Sequence, residues 1–320
     1  MATAVRSIPD CPSISVAICT YNRAESLRRT LTTLRETTQS VSVAWELLLI
    51  DNNSSDRTSE VAHSFSDLPL RYIFEPQQGL SRARNRALAE AKGPFILYTD
   101  DDVDIQPGWL ETYVAILGRY PDIAFAGGTI RPSWKNIPPP WVEVYAPSWL
   151  NGVVVWCDGG EAATTEFVFD RQRHYIYGAN FGFRTEMLRT MGGFNTEIGR
   201  QGGNLLGGED MQAIDQLARS GHFGLFLPQA IVEHRIHADR WSKGYIFRSS
   251  VGHGRIRAMQ RSHPPHRWLG SLPVKLTLEM VGRAIVYVIS LVTGKADRWL
   301  PALCELGWAV GEWQQVRVDR

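Results

Sequence analysis

The segment FILYTDDDVD, residues 95–104, joins an apolar run to four acidic residues, three of which are consecutive. Adjacent carboxylates repel one another, and a cluster at the end of a buried strand needs water or a cation to neutralise it. In an extended segment, side chains two positions apart point to the same side. Asp100 and Asp102 could therefore hold one hard divalent cation, whereas the simpler alternative is a solvated acidic turn.

Polar residues also follow two other strand-like runs. Thr20, Tyr21 and Asn22 come at the end of ISVAICT and just after it, and Asp51 follows WELLLI. Tyr21 could stack on a nucleobase, and the Asp51 carboxylate could accept a hydrogen bond from a base imino group. A diphosphate could approach the acids only with a cation between them. The chain has no GxGxxG after its first strand and no P-loop, so metal would replace a glycine-rich phosphate loop.

Two alternating periodicities in the first hundred residues position these groups. Apolar strand-like runs lie at 14–20, 45–50, 71–74 and 95–99. Helix-like segments separate them, the first marked by Leu27, Leu31 and Leu34 at spacings of four and three. This βαβαβαβ order predicts parallel strands, whose carboxyl ends share one edge of the sheet and carry its ligand site. That common edge argues against the solvated-turn alternative.

Composition limits the class of protein. With 320 residues, 44% hydrophobic and 21% charged, the chain can bury a full core. A net charge of +1 gives the whole molecule no preference for nucleic acid. The four cysteines show no CxxC spacing, which argues against a zinc site or a disulfide framework. The first thirteen residues contain no apolar run long enough for a signal peptide, so we expect a cytoplasmic location.

A second acidic group lies in the later half of the chain. Glu209 and Asp210 begin a predicted helix directly after Gly207 and Gly208. An acid pair at a helix start often only complements the helix dipole. The glycines would, however, let an acceptor approach the backbone, and a carboxylate there could remove the proton of an attacking hydroxyl. His234, at the end of LFLPQAIVEH, could be a metal or diphosphate ligand or a structural histidine.

Five segments of this sequence together resemble the family 2 inverting glycosyltransferases of the GT-A fold. They are VAICTYNRAESLRRTL, ELLLIDNNSSDRT, GLSRARNRALAEAKGPFILYTDDDV, YGANFGFRTEMLRTMGGF and GGNLLGGEDMQAIDQLARSG. The resemblance implies a Rossmann-like, mostly parallel sheet flanked by helices, with Mg²⁺ or Mn²⁺ as cofactor. It also implies a nucleoside-diphosphate sugar as donor, with uridine favoured, and a hydroxyl on a saccharide or lipid-linked saccharide as acceptor in polysaccharide or glycolipid synthesis.

The resemblance further implies roles for individual residues. Asp210 would be the general base, with Glu209 as a helper or acceptor-binding group, and a single base gives an in-line displacement with inversion. The predicted donor-binding residues are Thr20, Tyr21, Asn22, Asp51, Arg82, Arg84, Asp100 and Asp101. The predicted metal ligands are Asp100, Asp102 and His234. Arg82 has a solvated helix face as an equal alternative.

We predict a catalytic domain at 13–240, with a donor half at 13–104 and an acceptor half at 105–240. A basic, helical C-terminal extension follows at 241–320. The segment at 131–150 is rich in proline, which predicts neither a regular helix nor a central strand. Its tryptophans Trp134, Trp141 and Trp149 could stack on sugar rings or belong to a packed linker, and we favour the packed linker.

The C-terminal part of the chain changes in composition. Residues 235–267 contain eight Lys or Arg and one acid. They could close over the diphosphate, with Arg240 and Arg248 as the nearest candidates, face anionic lipid, or form a solvated helix face. The next segment, 275–294, has an uncharged run from Ala284 to Gly294 that is too short to span a bilayer. This segment predicts either a core helix or a membrane-surface helix, and we favour the core helix. A membrane-surface helix would give the protein peripheral contact with the inner face of the cell membrane.

Two other functions fit parts of the pattern. A sugar nucleotidyltransferase also uses a parallel sheet and a metal-bound nucleotide, but it usually has a glycine-rich basic signature after the first strand, which CTYNRAESL lacks. A catalytically silent sugar-binding module is disfavoured because both the donor acids and the candidate base are present. The reaction product distinguishes the two enzymes, since glycosyl transfer releases nucleoside diphosphate and nucleotidyl transfer releases pyrophosphate.

Overall fold

The computed structural model describes residues 12–158, 165–170, 175–202, 205–260, 268–269 and 272–318. The chain forms two compact units, each assembled from several segments. The first unit consists of Met1–Ser133, Val155–Glu197 and Glu209–Arg235. The second unit consists of Trp134–Val154, Ile198–Gly208 and Ile236–Arg320. The division of the chain into domains at residue 240 stays a prediction.

The first unit is built on a mixed β-sheet. Its strands are β1 (Ile14–Thr20), β2 (Trp45–Asp51), β3 (Leu70–Phe74), β4 (Phe95–Asp100), β5 (Val103–Ile105), β6 (Phe125–Trp134), β7 (Phe167–Val168), β8 (Asn180–Arg184) and β9 (Gly224–Ile236). In the described part of the chain they form one nine-stranded sheet, ordered β3-β2-β1-β4-β8-β6-β9-β5, with β7 paired to β9. The first four strands are parallel, as predicted, and β8 joins β4 antiparallel.

Helices cover this sheet. Those of the first unit are α1 (Ala24–Thr37), α2 (Thr58–His63), α3 (Leu80–Glu90), α4 (Trp109–Arg119), α7 (Thr185–Thr190) and α8 (Glu209–Arg219). Every residue of β2 is buried, as expected of a parallel strand covered on both faces. The predicted core positions Leu27, Leu31 and Leu34 of α1 are fully buried. The α/β fold predicted from the alternating periodicity is therefore confirmed.

Strand register brings the predicted polar groups to one level. Thr20 lies opposite Asp51 across β1 and β2, and Cys19 lies opposite Asp100 across β1 and β4. β4 ends at Asp100, however, and the next two acids form a turn. The main-chain oxygen of Asp101 accepts hydrogen bonds from the Ser26 and Thr30 hydroxyls of α1, each at 2.9 Å, instead of continuing the strand ladder. The expectation that these acids lie in an extended segment is therefore wrong.

The second unit is helical in its C-terminal part, as predicted. Its helices are α5 (Pro140–Tyr145), α6 (Asn151–Val154), a 3₁₀ turn (Ala238–Trp241), α9 (Lys243–Gln260), α10 (Val274–Val292) and α11 (Ala296–Val318). α9 and α11 can approach closely because Gly254 has no Cβ. A Cβ there would lie 2.2 Å from the Trp308 carbonyl oxygen. The proline-rich segment does contain the short helix α5, contrary to prediction. Pro140 occupies its first turn, where a missing N–H leaves no helical bond unmade.

The tryptophans of the proline-rich segment pack on other tryptophans of the second unit. The ring-centroid distances are 5.8 Å for Trp134–Trp241, 5.1 Å for Trp141–Trp299 and 5.6 Å for Trp149–Trp308. Aromatic pairs at such distances stabilise a core beyond the area that they bury. These contacts agree with the packed linker that we favoured over a sugar-stacking loop.

The helix α10 is not a core helix. Leu276 and Ser290 are its buried residues, whereas most of its aliphatic side chains are exposed. The core interpretation that we favoured is therefore wrong, because hydrophobic periodicity records which residues are apolar and not whether a neighbour covers them. None of the helices in the described residues is both long and apolar enough to cross a membrane.

Candidate functional site

The acid turn after β4 is bound to residues of β1 and of the turn that follows β1. Asp100 is partly exposed, whereas Asp101 and Asp102 are buried. Thr20 Oγ1 donates a hydrogen bond to Asp101 Oδ2 at 2.7 Å. Arg23 Nη1 donates to Asp101 Oδ1 at 3.1 Å and to Asp102 Oδ2 at 2.7 Å. Burial raises the pKa of Asp101 to about 6, although the Arg23 charge opposes this rise.

Arg23 was not singled out from the sequence. Its signal was present, because it stands three residues after Thr20 in a turn at the same sheet edge as the acids. A sequence alone does not show which cation faces a given carboxylate. The structure identifies Arg23 as the positive charge in direct contact with Asp101 and Asp102.

The fourth acid, Asp104, belongs to a structural ion-pair network that adjoins the acid turn. Asp104 accepts hydrogen bonds from Arg29 Nη2 and from Arg235 Nη1, both at 2.5 Å. Arg235 is buried and also donates to the Asp101 main-chain oxygen at 3.1 Å. From its position in 235–267, Arg235 could have belonged to a basic segment that closes over a diphosphate. Its burial against Asp104 rules out that role for Arg235.

The two other arginines proposed for that closing segment lie in the second unit. Arg240 is buried and its Nη1 donates to the Val153 carbonyl oxygen at 3.1 Å. This contact makes Arg240 part of the packing around α6. Arg248 is exposed on α9. Residues 261–267 of the basic stretch lie outside the described residues.

His234 lies beside the acid turn. It is buried in β9, where it pairs with Val103 of β5, the residue after Asp102. Its Nε2 is 3.5 Å from Asp102 Oδ1. The structure thus brings together two of the three predicted metal ligands, while Asp100 faces Arg84 at 3.7 Å.

Carboxylate oxygens suit both Mg²⁺ and Mn²⁺, and an imidazole nitrogen in the same donor set favours Mn²⁺, because Mg²⁺ prefers oxygen ligands. Among the described residues, no group of three or more His, Cys, Asp or Glu side chains is arranged to hold an ion. Magnesium sites with nucleotides commonly take one or two carboxylates from the protein and the remaining ligands from phosphates and water. Asp102 and His234 would supply the protein ligands of such a site.

The predicted base-reading acid lies at the end of β2. Asp51 is buried; its Oδ1 accepts a hydrogen bond from the Ser54 main-chain N–H at 2.9 Å, and its Oδ2 accepts one from the Tyr72 hydroxyl at 2.6 Å. Burial, together with this contact to Asp51, raises the pKa of Tyr72 to about 12, so its hydroxyl stays a donor at neutral pH. Each carboxylate oxygen retains a lone pair for a further donor, such as a base imino group.

The two residues after Thr20 have different surroundings. Tyr21 is 39% exposed, which leaves ring surface available for stacking. Asn22 adopts a positive φ of 51°, and its Oδ1 accepts a hydrogen bond from the Ser55 main-chain N–H at 2.7 Å. Asn22 therefore joins the turns that follow β1 and β2, and its predicted contact with the donor stays a prediction.

The two predicted donor-binding arginines of α3 differ in burial. Arg82 is exposed and donates to Gln77 Oε1 at 2.8 Å. Arg84 is buried, and its Nη1 donates to Glu209 Oε1 at 2.5 Å while its Nη2 lies 3.7 Å from Asp100 Oδ1. Arg84 therefore connects the acid turn to the acid pair at the start of α8.

Backbone N–H groups hold the candidate base. Asp210 Oδ2 accepts a hydrogen bond from the Gly178 N–H at 2.7 Å, and Oδ1 accepts one from the Met211 N–H at 2.8 Å. A Cβ at residue 178 would lie 2.2 Å from Arg84 Nη2, so any larger residue there would displace the buried Arg84 guanidinium. Gly178, which the sequence reasoning missed, thus lets the Arg84–Glu209 pair and Asp210 occupy the same small volume.

We expect Arg84→Met to destabilise the fold by about 3–5 kcal/mol, because it leaves the buried Glu209 carboxylate without its counter-charge. Adding Glu209→Gln to this variant should restore part of that loss, since the amide carries no charge. Chemical denaturation of both variants measures the two effects.

Arg86→Met is the matched control on the same helix. Arg86 forms an exposed ion pair with Glu90 at 3.0 Å, so the same substitution should cost at most about 1 kcal/mol. Equal stability of the Arg84 and Arg86 variants would contradict the assignment of Arg84 as the buried link between α3 and α8.

The sheet topology and the helices that flank the sheet are those of the GT-A fold. Solved structures with this fold align over most of the chain. The mannosyltransferase PcManGT of Pyrobaculum calidifontis, in complex with GDP-Man and Mn²⁺, has a TM-score of 0.54 at 17% identity and covers 98% of this chain and 76% of its own. S. aureus TarS 1-349, in complex with UDP-GlcNAc, has a TM-score of 0.52 at 15% identity and covers 78% and 68%.

The sequence profile described as glycosyl transferase family 2 matches residues 15–192, and the chain belongs to this family. A similar protein is the glucosyl-dolichyl phosphate glucuronosyltransferase of Haloferax volcanii, 26% identical over 245 residues, which are 74% of each chain. Another is the succinoglycan biosynthesis protein ExoM of Rhizobium meliloti, 25% identical over 258 residues, which are 78% of this chain and 76% of that protein.

Proposed function

We propose that this glycosyltransferase moves a sugar, with inversion and with a divalent metal, from a nucleoside-diphosphate donor to a hydroxyl of a saccharide or lipid-linked saccharide. Uridine diphosphate is the donor nucleotide that we favour. The observation that carries the proposal is the position of Arg84, which contacts Glu209 and lies 3.7 Å from Asp100. Asp100, one of the predicted donor acids, and Glu209, the residue before the candidate base, therefore contact the same guanidinium group.

The relatives support a role in polysaccharide or glycolipid synthesis. One is named for a dolichyl phosphate substrate and the other for succinoglycan. An acceptor attached to lipid would place the enzyme at a membrane, and we propose the inner face of the cell membrane as its location. Family membership also favours glycosyl transfer over the sugar nucleotidyltransferase alternative.

In the proposed donor complex, Asp51 accepts the hydrogen bond of the base imino group and Tyr21 stacks on the base. Asp102 and His234 would hold a divalent ion, which when bound stabilises the negative charge of the leaving diphosphate. Arg23 is 44% exposed beside the acids, so its guanidinium can remain paired to them while one side faces the donor. Asp100, on the partly exposed side of the turn, is available to the sugar or to the ion.

The transfer itself needs one base from this chain. Asp210 is oriented by two backbone N–H donors, and each of its oxygens keeps a lone pair for the proton of the attacking hydroxyl. Removing that proton as the hydroxyl attacks the anomeric carbon gives a single in-line displacement, and so inversion. Glu209, bound by Arg84, keeps this part of α8 in place and is therefore a positioning residue in this mechanism.

The product of a donor-only reaction tests the proposed function. We expect slow release of free nucleoside diphosphate when the protein is incubated with Mn²⁺ and a panel of UDP-sugars and GDP-mannose, because water can replace the acceptor hydroxyl. The release should stop when the metal is chelated, and chromatography of the nucleotides measures it. Formation of pyrophosphate from a sugar phosphate and a nucleoside triphosphate would instead support the nucleotidyltransferase alternative.

A further inference from the structure

One side of α10 packs against α11 within the second unit. Trp313 Nε1 of α11 donates a hydrogen bond to Thr277 Oγ1 at 3.0 Å. Arg283 of α10 forms an ion pair with Glu305 of α11. These contacts fix which side of α10 faces inward.

The opposite side of α10 is an unbroken aliphatic surface. At 100° per residue, the positions that point away from the buried residues Leu276 and Ser290 follow a spacing of three and four. We call this surface the outer face, and it consists of Leu278, Val281, Ile285, Ile289 and Val292. Their exposed fractions range from 48% to 88%, and none of the charged residues of α10 lies among them.

An exposed face of this kind needs a partner. It extends about 21 Å along the helix, from residue 278 to residue 292, at 1.5 Å per residue. Leaving five large aliphatic side chains in water forfeits the free energy that their burial would supply. Contiguous apolar surfaces of this sort on folded proteins mark sites of contact with another protein or with a membrane.

The charge distribution favours an anionic lipid surface. The second unit contains fifteen Lys or Arg and seven Asp or Glu, a net charge of +8, whereas the first unit contains nineteen and twenty-six, a net charge of −7. Lys275, Lys295 and Arg298 are exposed near the two ends of α10. A second copy docked on the same face would bring two units of +8 together, and their repulsion opposes such a dimer.

The length of the apolar segment sets its orientation. The uncharged run from Ala284 to Gly294 would span about 16 Å as a helix, about half of the 30 Å hydrocarbon core. A helix with one aliphatic side and flanking basic residues instead lies in the interface plane, with the apolar side among the acyl chains.

We propose that the outer face of α10 docks on a membrane that contains anionic lipids. In this arrangement, the axis of α10 is parallel to the membrane surface. Basic side chains at the ends of the helix contact the lipid headgroups, while the five aliphatic side chains enter the acyl region. This inference deepens the proposed location at a membrane, but it rests on the second unit alone and does not require the proposed transfer reaction.

Partition onto vesicles tests the proposal. The full-length protein should sediment with phosphatidylcholine vesicles that contain phosphatidylglycerol, and bind much less to phosphatidylcholine alone. The variant Ile285→Glu/Ile289→Glu should bind the anionic vesicles at least about tenfold more weakly, because two carboxylates would enter the apolar region. Added salt should weaken binding of the wild-type protein by screening the basic residues.

The control variant is Val144→Glu/Val168→Glu. It adds the same two charges at aliphatic positions that are 66% and 64% exposed outside α10, and should bind vesicles within about twofold of wild type. Near-equal losses in both variants would show a general charge effect and overturn the role of α10.

Two further outcomes would also overturn the proposal. One is wild-type protein that stays in the supernatant with anionic vesicles at low salt. The other is a wild-type dimer that Ile285→Glu/Ile289→Glu dissociates without any change in vesicle binding, which light scattering would detect and which would assign the face to a second copy. Circular dichroism confirms that each variant is folded, and donor hydrolysis, measured without lipid, is expected to be unchanged in both variants.

Discussion

Asp210→Asn is expected to lower kcat by about 10²–10⁴-fold, because the amide cannot take the proton of the attacking hydroxyl. A group that acts chiefly in the transition state contributes little to donor binding, so the donor Kd should stay within about threefold of wild type. Steady-state kinetics with acceptor and calorimetry with donor measure the two quantities separately.

The structure adds a stability effect to this variant. Asp210 accepts from the Gly178 N–H with one oxygen and from the Met211 N–H with the other, and an asparagine has a single carbonyl oxygen. One buried N–H would lose its partner, at a cost of about 1–3 kcal/mol. Turnover should therefore be compared at a temperature where thermal denaturation shows that the variant is folded.

Glu209→Gln distinguishes the two members of the acid pair. It removes the charge that faces Arg84, so we expect a lower unfolding free energy and a smaller loss of turnover than in Asp210→Asn. Asp215→Asn, farther along α8, is the control for loss of a carboxylate from this helix. Near-normal turnover in Asp210→Asn would contradict the assignment, and loss of turnover in Glu209→Gln alone would move the base by one residue.

Asp102→Ala is expected to lower donor affinity in the presence of metal by at least about 100-fold. Changing residues that only orient metal ligands typically costs about 10–100-fold in metal affinity, so loss of a ligand should cost at least as much. The fold should persist, because Arg23 keeps its contact with Asp101 at 3.1 Å. Calorimetric titration of the donor with and without Mn²⁺ measures the difference.

Asp122→Ala provides the matched control, since it removes one carboxylate from an exposed position in the turn between α4 and β6. It should leave the effect of Mn²⁺ on donor affinity unchanged. If Asp102→Ala binds donor as tightly as wild type in the presence of Mn²⁺, Asp102 is not a metal ligand. If it binds more weakly with and without Mn²⁺ alike, Asp102 acts on the nucleotide directly.

The sequence alone was sufficient to predict the first half of the sheet. The strands β1 to β4, the intervening helices and the shared carboxyl edge follow from local hydrophobic periodicity and from the restricted geometry of βαβ connections. Asp51, Asp100 and Thr20 could be placed at one edge because strand ends are local features. The acid pair at the start of α8 was also predictable, since glycines and a helical repeat mark that boundary.

Contacts between distant segments were decided only by the tertiary structure. Arg84 and Glu209 are 125 residues apart in sequence, and Arg23 reaches acids 78 and 79 positions away. A charged residue in a sequence carries no record of its partner, because pairing depends on how the helices and the sheet pack. For this reason Arg235 was grouped with a basic surface segment, although it is buried against Asp104.

The apolar helix α10 also shows which properties the sequence predicts and which depend on the tertiary structure. The sequence by itself indicated that residues 275–294 are helical and that their uncharged run, from Ala284 to Gly294, is too short to span a bilayer. Helical propensity, charge content and length are properties of the segment. Whether that helix is buried is a property of its neighbours. Only the tertiary structure decided that α11 covers one side and leaves Leu278, Ile285 and Ile289 exposed, because burial requires a second surface that no local pattern encodes.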